Sequence, residues 1–242
     1  MISPCHSGMN YKQRKEMIAK FNALQIQAVV FDFDGVLADS VPIKDDALES
    51  LVEMEMPGKG PQARVLWNQT RGIFRRERIK MIFREVLGIA LENDPLDRLV
   101  ARYKDSIYQR TLFAPPIAGS LEYLQSWPLI PSYVVSAAPQ EEVVEIIQGR
   151  DIHRFFRGIF GGPTKKESLL AEVIRREQCQ ARELLFIGDS DSDHRAAVAV
   201  GASFLGVVAT GCPNPFPPDC RIVADLTGLA DIVADWWNSV SV

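Results

Sequence analysis

The chain has 242 residues, 47% of them hydrophobic and 24% charged, with a formal net charge of −4 at pH 7. That balance excludes a disordered chain and a polybasic nucleic-acid binder, and no apolar run approaches the roughly 20 residues that span a bilayer. Residues 1–27 lack a compact apolar segment before a small-residue cleavage site, so no signal peptide is expected. The four cysteines (Cys5, Cys179, Cys212, Cys220) have no CxxC spacing and read as free thiols of a cytoplasmic protein.

In chain order, residues 9–24 predict a charged amphipathic helix. It leads into a first strand, Ala28-Val29-Val30-Phe31, which runs into Asp32-Phe33-Asp34-Gly35. After Ser40 the pattern turns purely helical. Leu48, Leu51 and Val52, then Ile79, Ile82, Phe83, Val86 and Leu87, then Leu96, Leu99, Val100 and Tyr103 recur at three- and four-residue steps. Residues 57–61 and Asn93-Asp94-Pro95 read as loops between these helices. From Phe113 onward strands and helices alternate. A helix near residues 118–126 precedes the strand Tyr133-Val134-Val135, which ends in Ser136. Pro139 opens the next helix, and another covers residues 166–177. The strand Leu184-Leu185-Phe186-Ile187 ends in Gly188-Asp189-Ser190, a helix covers residues 193–200 up to Gly201, and last strands fall at 203–208 and 221–223. The expected fold is therefore α/β: a Rossmann-like parallel-sheet core formed by residues 1–40 and 113–242, with residues 1–26 as a helical extension. A small all-helical domain, residues 41–112, is inserted after the first strand.

In a parallel sheet the carboxyl ends of the strands share one edge, and ligands bind there. Asp32, Asp34, Ser136 and Asp189 should therefore converge on one cleft. A carboxylate ending a buried strand needs a cation or many donors to offset its lost hydration. Gly35 allows close approach of a ligand, and Ser190 and Asp193 stand behind Asp189. Oxygen ligands without a nearby histidine or cysteine point to a hard cation such as Mg2+, and so to phosphoryl transfer. Asp191 reads as a solvated acid and His194 as structural, while His6 and His153 have no partner pattern.

The segments Asp32-Phe33-Asp34-Gly35-Val36-Leu37-Ala38-Asp39-Ser40, Ser136, Lys165 and Gly188-Asp189-Ser190-Asp191-Ser192-Asp193 resemble the four ordered motifs of the haloacid dehalogenase superfamily. The likeness is greatest to its phosphoglycolate phosphatase and beta-phosphoglucomutase-like branch, and the helical insert lies where that family carries its cap. The resemblance implies Asp32 as nucleophile and Mg2+ ligand, Asp34 as general acid and base with its carbonyl on the metal, and Asp189 as a further metal ligand. It implies Ser136, with neighbouring Ala137, on the phosphoryl group. Lys165 would neutralise charge there, and Asp193 would orient that lysine or a metal-bound water. Of the adjacent Lys165 and Lys166, Lys165 is assigned because it stands two residues before Glu167, as in the family's Lys-x-Glu pattern.

Arg71, Arg75, Arg76, Arg78, Lys80 and Arg84 make the insert basic, with Glu77 the acid among them, and most fit a solvated helix face. Gly72-Ile73-Phe74-Arg75 resembles a substrate-facing Gly-x-Ser-Arg stretch of the branch, except at Phe74. That assigns Arg75 to the substrate, while Trp67 reads as a core aromatic. The expectation is a Mg2+-dependent phosphatase acting on a small phosphomonoester of the phosphoglycolate or sugar phosphate type through an aspartyl-phosphate. A phosphomutase would use the same core residues. A dehalogenase would lack the Asp34 acid, and a phosphonatase would need a cap lysine (Lys44, Lys59, Lys80 and Lys104 stand in no motif for it). A metabolite-binding sensor would have lost the nucleophile or the acid. No nucleic-acid or membrane partner is expected, and monomer or homodimer stays open.

Overall fold

A computed structural model describes residues 26–126 and 130–236. The expected helix at residues 9–24, with Cys5 and His6, lies outside the described residues. Strand β1 (Ala28–Phe31) is followed by four helices: α1 (Val41–Glu55), α2 (Gly60–Gln69), α3 (Arg75–Leu87) and α4 (Asn93–Leu112). The chain continues through α5 (Ser120–Ser126), β2 (Ser132–Pro139), α6 (Gln140–Gly149), β3 (Phe156–Gly162) and α7 (Lys166–Glu177). It ends with β4 (Leu184–Gly188), α8 (Asp191–Val200), β5 (Ser203–Val207), β6 (Ile222–Val223) and α9 (Leu229–Ala234). The strands form one sheet in the order β3-β2-β1-β4-β5-β6, every pairing parallel.

Why the strands read as continuous apolar runs is visible in their two faces. Val29, Phe31, Val134, Leu185 and Ile187 face one layer, with Tyr123 of α5, Val143 and Ile147 of α6, and Val233 of α9. The alternate residues Ala28, Val30, Tyr133, Val135, Leu184 and Phe186 face the other, against Leu169, Leu170 and Val173 of α7 and Ala196 and Ala197 of α8. Side chains alternate with period two, so a sheet covered on both sides needs apolar residues at every position. Each fully buried large aliphatic there contributes about 1.5–3 kcal/mol.

The helices α1 to α4 carry a separate core built from Leu48, Val52, Trp67, Ile79, Ile82, Leu96 and Tyr103, among others. Ile43, partly buried, packs against both this core and the sheet's. Three details differ from the sequence reading. Gly60 and Pro61 open α2, and Asn93-Asp94-Pro95 is the first turn of α4, not loops, because proline costs nothing where the amide has no intrahelical partner. Strand β3 is an addition, hidden by Arg157, Gly158, Gly161 and Gly162, which dilute the apolar signal of an edge strand. No helix among the described residues is long and apolar enough to cross a membrane.

Candidate active site

Strands β1 and β4 are hydrogen-bonded neighbours at the centre of the sheet, and this places Asp32 beside Asp189. The Asp32 amide donates to the carbonyl of Ile187 at 2.9 Å, carrying the ladder one residue past the end of β1. Beyond it the chain folds back tightly: the Gly35 amide reaches the Ala38 carbonyl at 2.8 Å. Gly35 has φ +76°, and a Cβ there would lie 2.5 Å from Asp189 Oδ2, so the loop passes directly over that carboxylate.

Asp32 is 6% exposed. Its Oδ1 accepts the Phe33 amide at 2.7 Å, and its Oδ2 lies 3.0 Å from Lys166 Nζ. Lys166 Nζ also donates to Asp193 Oδ1 at 2.5 Å. Asp193, wholly buried, is the third residue of α8 and closes its amino terminus. Its Oδ2 accepts from the Ser190 amide at 3.2 Å and the Ser190 hydroxyl at 2.6 Å. Burial holds the Asp32 carboxyl well above its ordinary value, to about 7; Lys166 pulls it down, and repulsion from Asp193 and Asp34 adds to the rise. Asp189 is pushed up for the same reason, by burial and then by Asp193 and Asp32.

The lysine assignment needs correction. Lys165 is the residue preceding α7, its side chain is 74% exposed, and its nearest carboxylate is Glu167 at 4.0 Å. Lys166 occupies the inward position instead. Successive residues at a helix start point about 100° apart, so a one-residue ambiguity decides between solvent and cleft.

Asp34 is held differently from Asp32. Ser40 donates to its Oδ1 at 2.6 Å and Lys44 pairs with its Oδ2. Burial raises its pKa, but Lys44 and Ser40 outweigh that and leave it below the ordinary carboxylate range. Ser40 precedes α1 yet makes no cap with its hydroxyl, because that group is engaged by Asp34. The side-chain carboxylates that approach one another are accordingly Asp32, Asp189 and Asp193, with oxygens within 4.8 Å, while Asp34 was expected at the metal through its backbone carbonyl. Asp193 is engaged by Lys166 and Ser190. Among the described residues the Asp189 carboxylate has no hydrogen bond, and its nearest cation is Arg71 Nη1 at 3.8 Å. A buried acid and a half-buried one facing one another through oxygen alone, the second without a hydrogen bond among the described residues, suit a small hard cation.

Ser136 is buried within β2, three residues before its end, its Oγ accepting the Ala138 amide at 3.1 Å, and Ala137 and Ala138 line the cleft. Asp32, Asp34, Lys166 and Asp189 line the same cavity of about 90 Å³. Its opposite wall comes from the insert. Arg75, assigned to the substrate, is tied by two hydrogen bonds of 2.7 and 2.6 Å to Glu142 of α6, so its guanidinium is already paired. Arg71 pairs with Asp45 at 3.2 Å. Arg78, Lys44 and Tyr103 also line the cavity, though the sequence reading assigned none of them to the site. The signal for Arg78 was its place one turn after Arg75. Trp67, a core residue of the insert, reaches this wall too. Asp191 pairs with Arg195 at 3.0 Å on the surface, and His194 packs between Phe204 and Phe216.

A family model described as haloacid dehalogenase-like hydrolase matches residues 29–207. A phosphoglycolate phosphatase of Pseudomonas putida is 30% identical over 218 residues, 86% of this chain and 79% of that protein. A HAD hydrolase of Entamoeba histolytica has a TM-score of 0.72 at 14% identity, covering 87% of this chain and 98% of its own. A HAD-hydrolase of Bacillus subtilis bound to magnesium has a TM-score of 0.66 at 19% identity, covering 86% and 98%. At those identities the two structures speak to fold alone.

Proposed function

The chain belongs to the haloacid dehalogenase-like hydrolases, and from that premise we propose that it is a phosphatase hydrolysing a small phosphomonoester of the phosphoglycolate or sugar phosphate type. The observation that carries this reading is the Asp32 carboxylate, buried at a strand end, bonded to Lys166 and facing Asp189 across the cleft.

In this reading an Asp32 oxygen attacks phosphorus and the ester oxygen leaves, taking a proton from Asp34. The aspartyl-phosphate so formed is then cleaved by water that gives its proton to Asp34, which restores Asp32 and releases phosphate. The contacts from Lys44 and Ser40 favour the ionised form of Asp34, the form the second half requires. An incoming phosphate dianion beside Asp34 shifts it toward the protonated form the first half requires. Lys166 neutralises the attacking carboxylate and the transferring group, and Asp193 with Ser190 fixes the direction of that lysine. Ser136 and the amide-lined end of β2 would hold the phosphoryl oxygens. Asp32, Asp189 and the backbone carbonyl of Asp34 would hold Mg2+. The ion would neutralise the facing carboxylates and the equatorial oxygens.

The insert, residues 41–112, would act as the cap that shields the reaction from bulk water. A cytoplasmic setting, where small phosphorylated metabolites are made and consumed, fits this chemistry. The test is release of phosphate from phosphoglycolate and p-nitrophenyl phosphate with Mg2+. Asp32→Asn should abolish it, and Asp34→Asn should cripple turnover; normal rates in Asp32→Asn would refute the mechanism. Free phosphate as the product, without an isomerised sugar phosphate, separates hydrolysis from a mutase reaction.

A further inference from the structure

The insert turns three guanidinium groups toward the cavity, and their bonding differs. Arg71 meets Asp45 and Arg75 is clamped by Glu142. Arg78, on α3, has no carboxylate partner among the described residues. Its Cζ lies 3.3 Å from the centroid of the Trp67 ring, and its Nη2 donates to the Trp67 carbonyl at 2.5 Å. The group is thus held rigidly by a residue of the insert's core. Its Nε is buried without any hydrogen-bond partner among the described residues. Burial pulls its pKa down to about 10, so the group still carries its charge near neutrality.

A rigid, buried guanidinium with an unused N–H is costly in an apolar setting, and an anion arriving in the cavity it lines would satisfy it. The floor of that cavity, with Asp32, Lys166 and Asp189, is the end where a phosphoryl group reacts. At about 90 Å³ the cavity is well below the roughly 300 Å³ where drug-sized sites begin, so the two ends are bridged by a short molecule. We propose that Arg78 receives a second anionic group of the substrate, which is a short phosphomonoester carrying a carboxylate or a second phosphate. This rests on the phosphatase reading above and narrows it: a neutral sugar phosphate would leave Arg78 unpaired. Arg78 takes the part that the sequence assigned to Arg75.

Phosphate release with Mg2+ is measured for phosphoglycolate, ethylene glycol bisphosphate and 2-hydroxyethyl phosphate, the last of matching length without a second anion. The unaltered protein should favour one of the first two by about tenfold or more in kcat/KM. Which one it favours tells carboxylate from phosphate. Arg78→Gln should collapse that ratio to within about twofold, and Arg78→Lys, which keeps the charge but loses the planar fork, should retain part of it. Equal kcat/KM for all three probes in the unaltered protein overturns the proposal, and that measurement needs no variant to fold. A proportional loss on all three probes in Arg78→Gln also overturns it. Phosphate from no probe, and none from p-nitrophenyl phosphate, would sink the phosphatase reading itself and this inference with it.

Discussion

At the scale of single residues, the site turns on which of two adjacent lysines enters the cleft. Lys166 is bonded to Asp32 and Asp193 at once, and those two acids hold its pKa above the ordinary lysine value despite burial. Removing it leaves two buried carboxylates facing each other. Lys166→Met should therefore lower kcat by about 100-fold or more, whereas Lys165→Met should stay within about twofold. A steady-state comparison of the two variants decides this; the reverse ranking would contradict the geometry. The same contrast explains the unlike carboxylates at the end of β1. Asp32 is buried between other acids and shares its one lysine, while Asp34 has Lys44 and Ser40 largely to itself. Two residues apart in sequence, they are pushed in opposite directions by their neighbours.

Between elements, two of the contacts that join the inserted helices to the sheet-bearing part can be tested separately. In the loop before α3, Gly72 has φ +89°, and a Cβ there would fall 2.2 Å from Ser192 Cβ at the start of α8. Gly72→Ala must displace this loop from α8, so kcat/KM should fall by about tenfold while the melting temperature moves little. An unchanged kcat/KM would show that the contact is not needed for turnover. Arg75 and Glu142 form the second contact, a two-bonded ion pair between α3 and α6 with both side chains nearly buried. Glu142→Gln strands a buried guanidinium, and chemical denaturation should show a loss of about 3 kcal/mol. The double variant Arg75→Met/Glu142→Leu should recover most of it, since no charge is then left unpaired.

For the molecule as a whole, the raised carboxyls of Asp32 and Asp189 link stability to pH and to the proposed cation. Both groups bind protons more tightly folded than unfolded. Their contribution is therefore complete below the unfolded carboxyl range near pH 4 and is lost as pH rises, for Asp32 through about 7. Mg2+ needs the ionised forms and must displace those protons, so the gain in melting temperature on adding it should grow from pH 5.5 to pH 8. Thermal unfolding across that range, with Mg2+ and with EDTA, measures the difference; a gain that shrinks with rising pH would contradict the assignment. The strands β1, β2 and β4 were legible in the sequence because burial on both faces leaves an unbroken apolar run, and parallel pairing then forces their carboxyl ends onto one edge. Asp32, Asp34 and Asp189, which line one cavity, could be expected together on that ground before any coordinates, whereas Ser136 is not among the residues lining it. The helical stretch between β1 and β2 was legible through its three- and four-residue periodicity. The tertiary structure alone decided which lysine points inward, that Asp193 stands closer to Asp189 and Asp32 than the Asp34 carboxylate does, and that Arg75 is paired while Arg78 is left with a free N–H. Periodicity and strand ends record which face of an element is buried. The direction of one side chain at a helix start, and the partner a charge finds across two separately packed cores, depend on contacts between segments far apart in the chain.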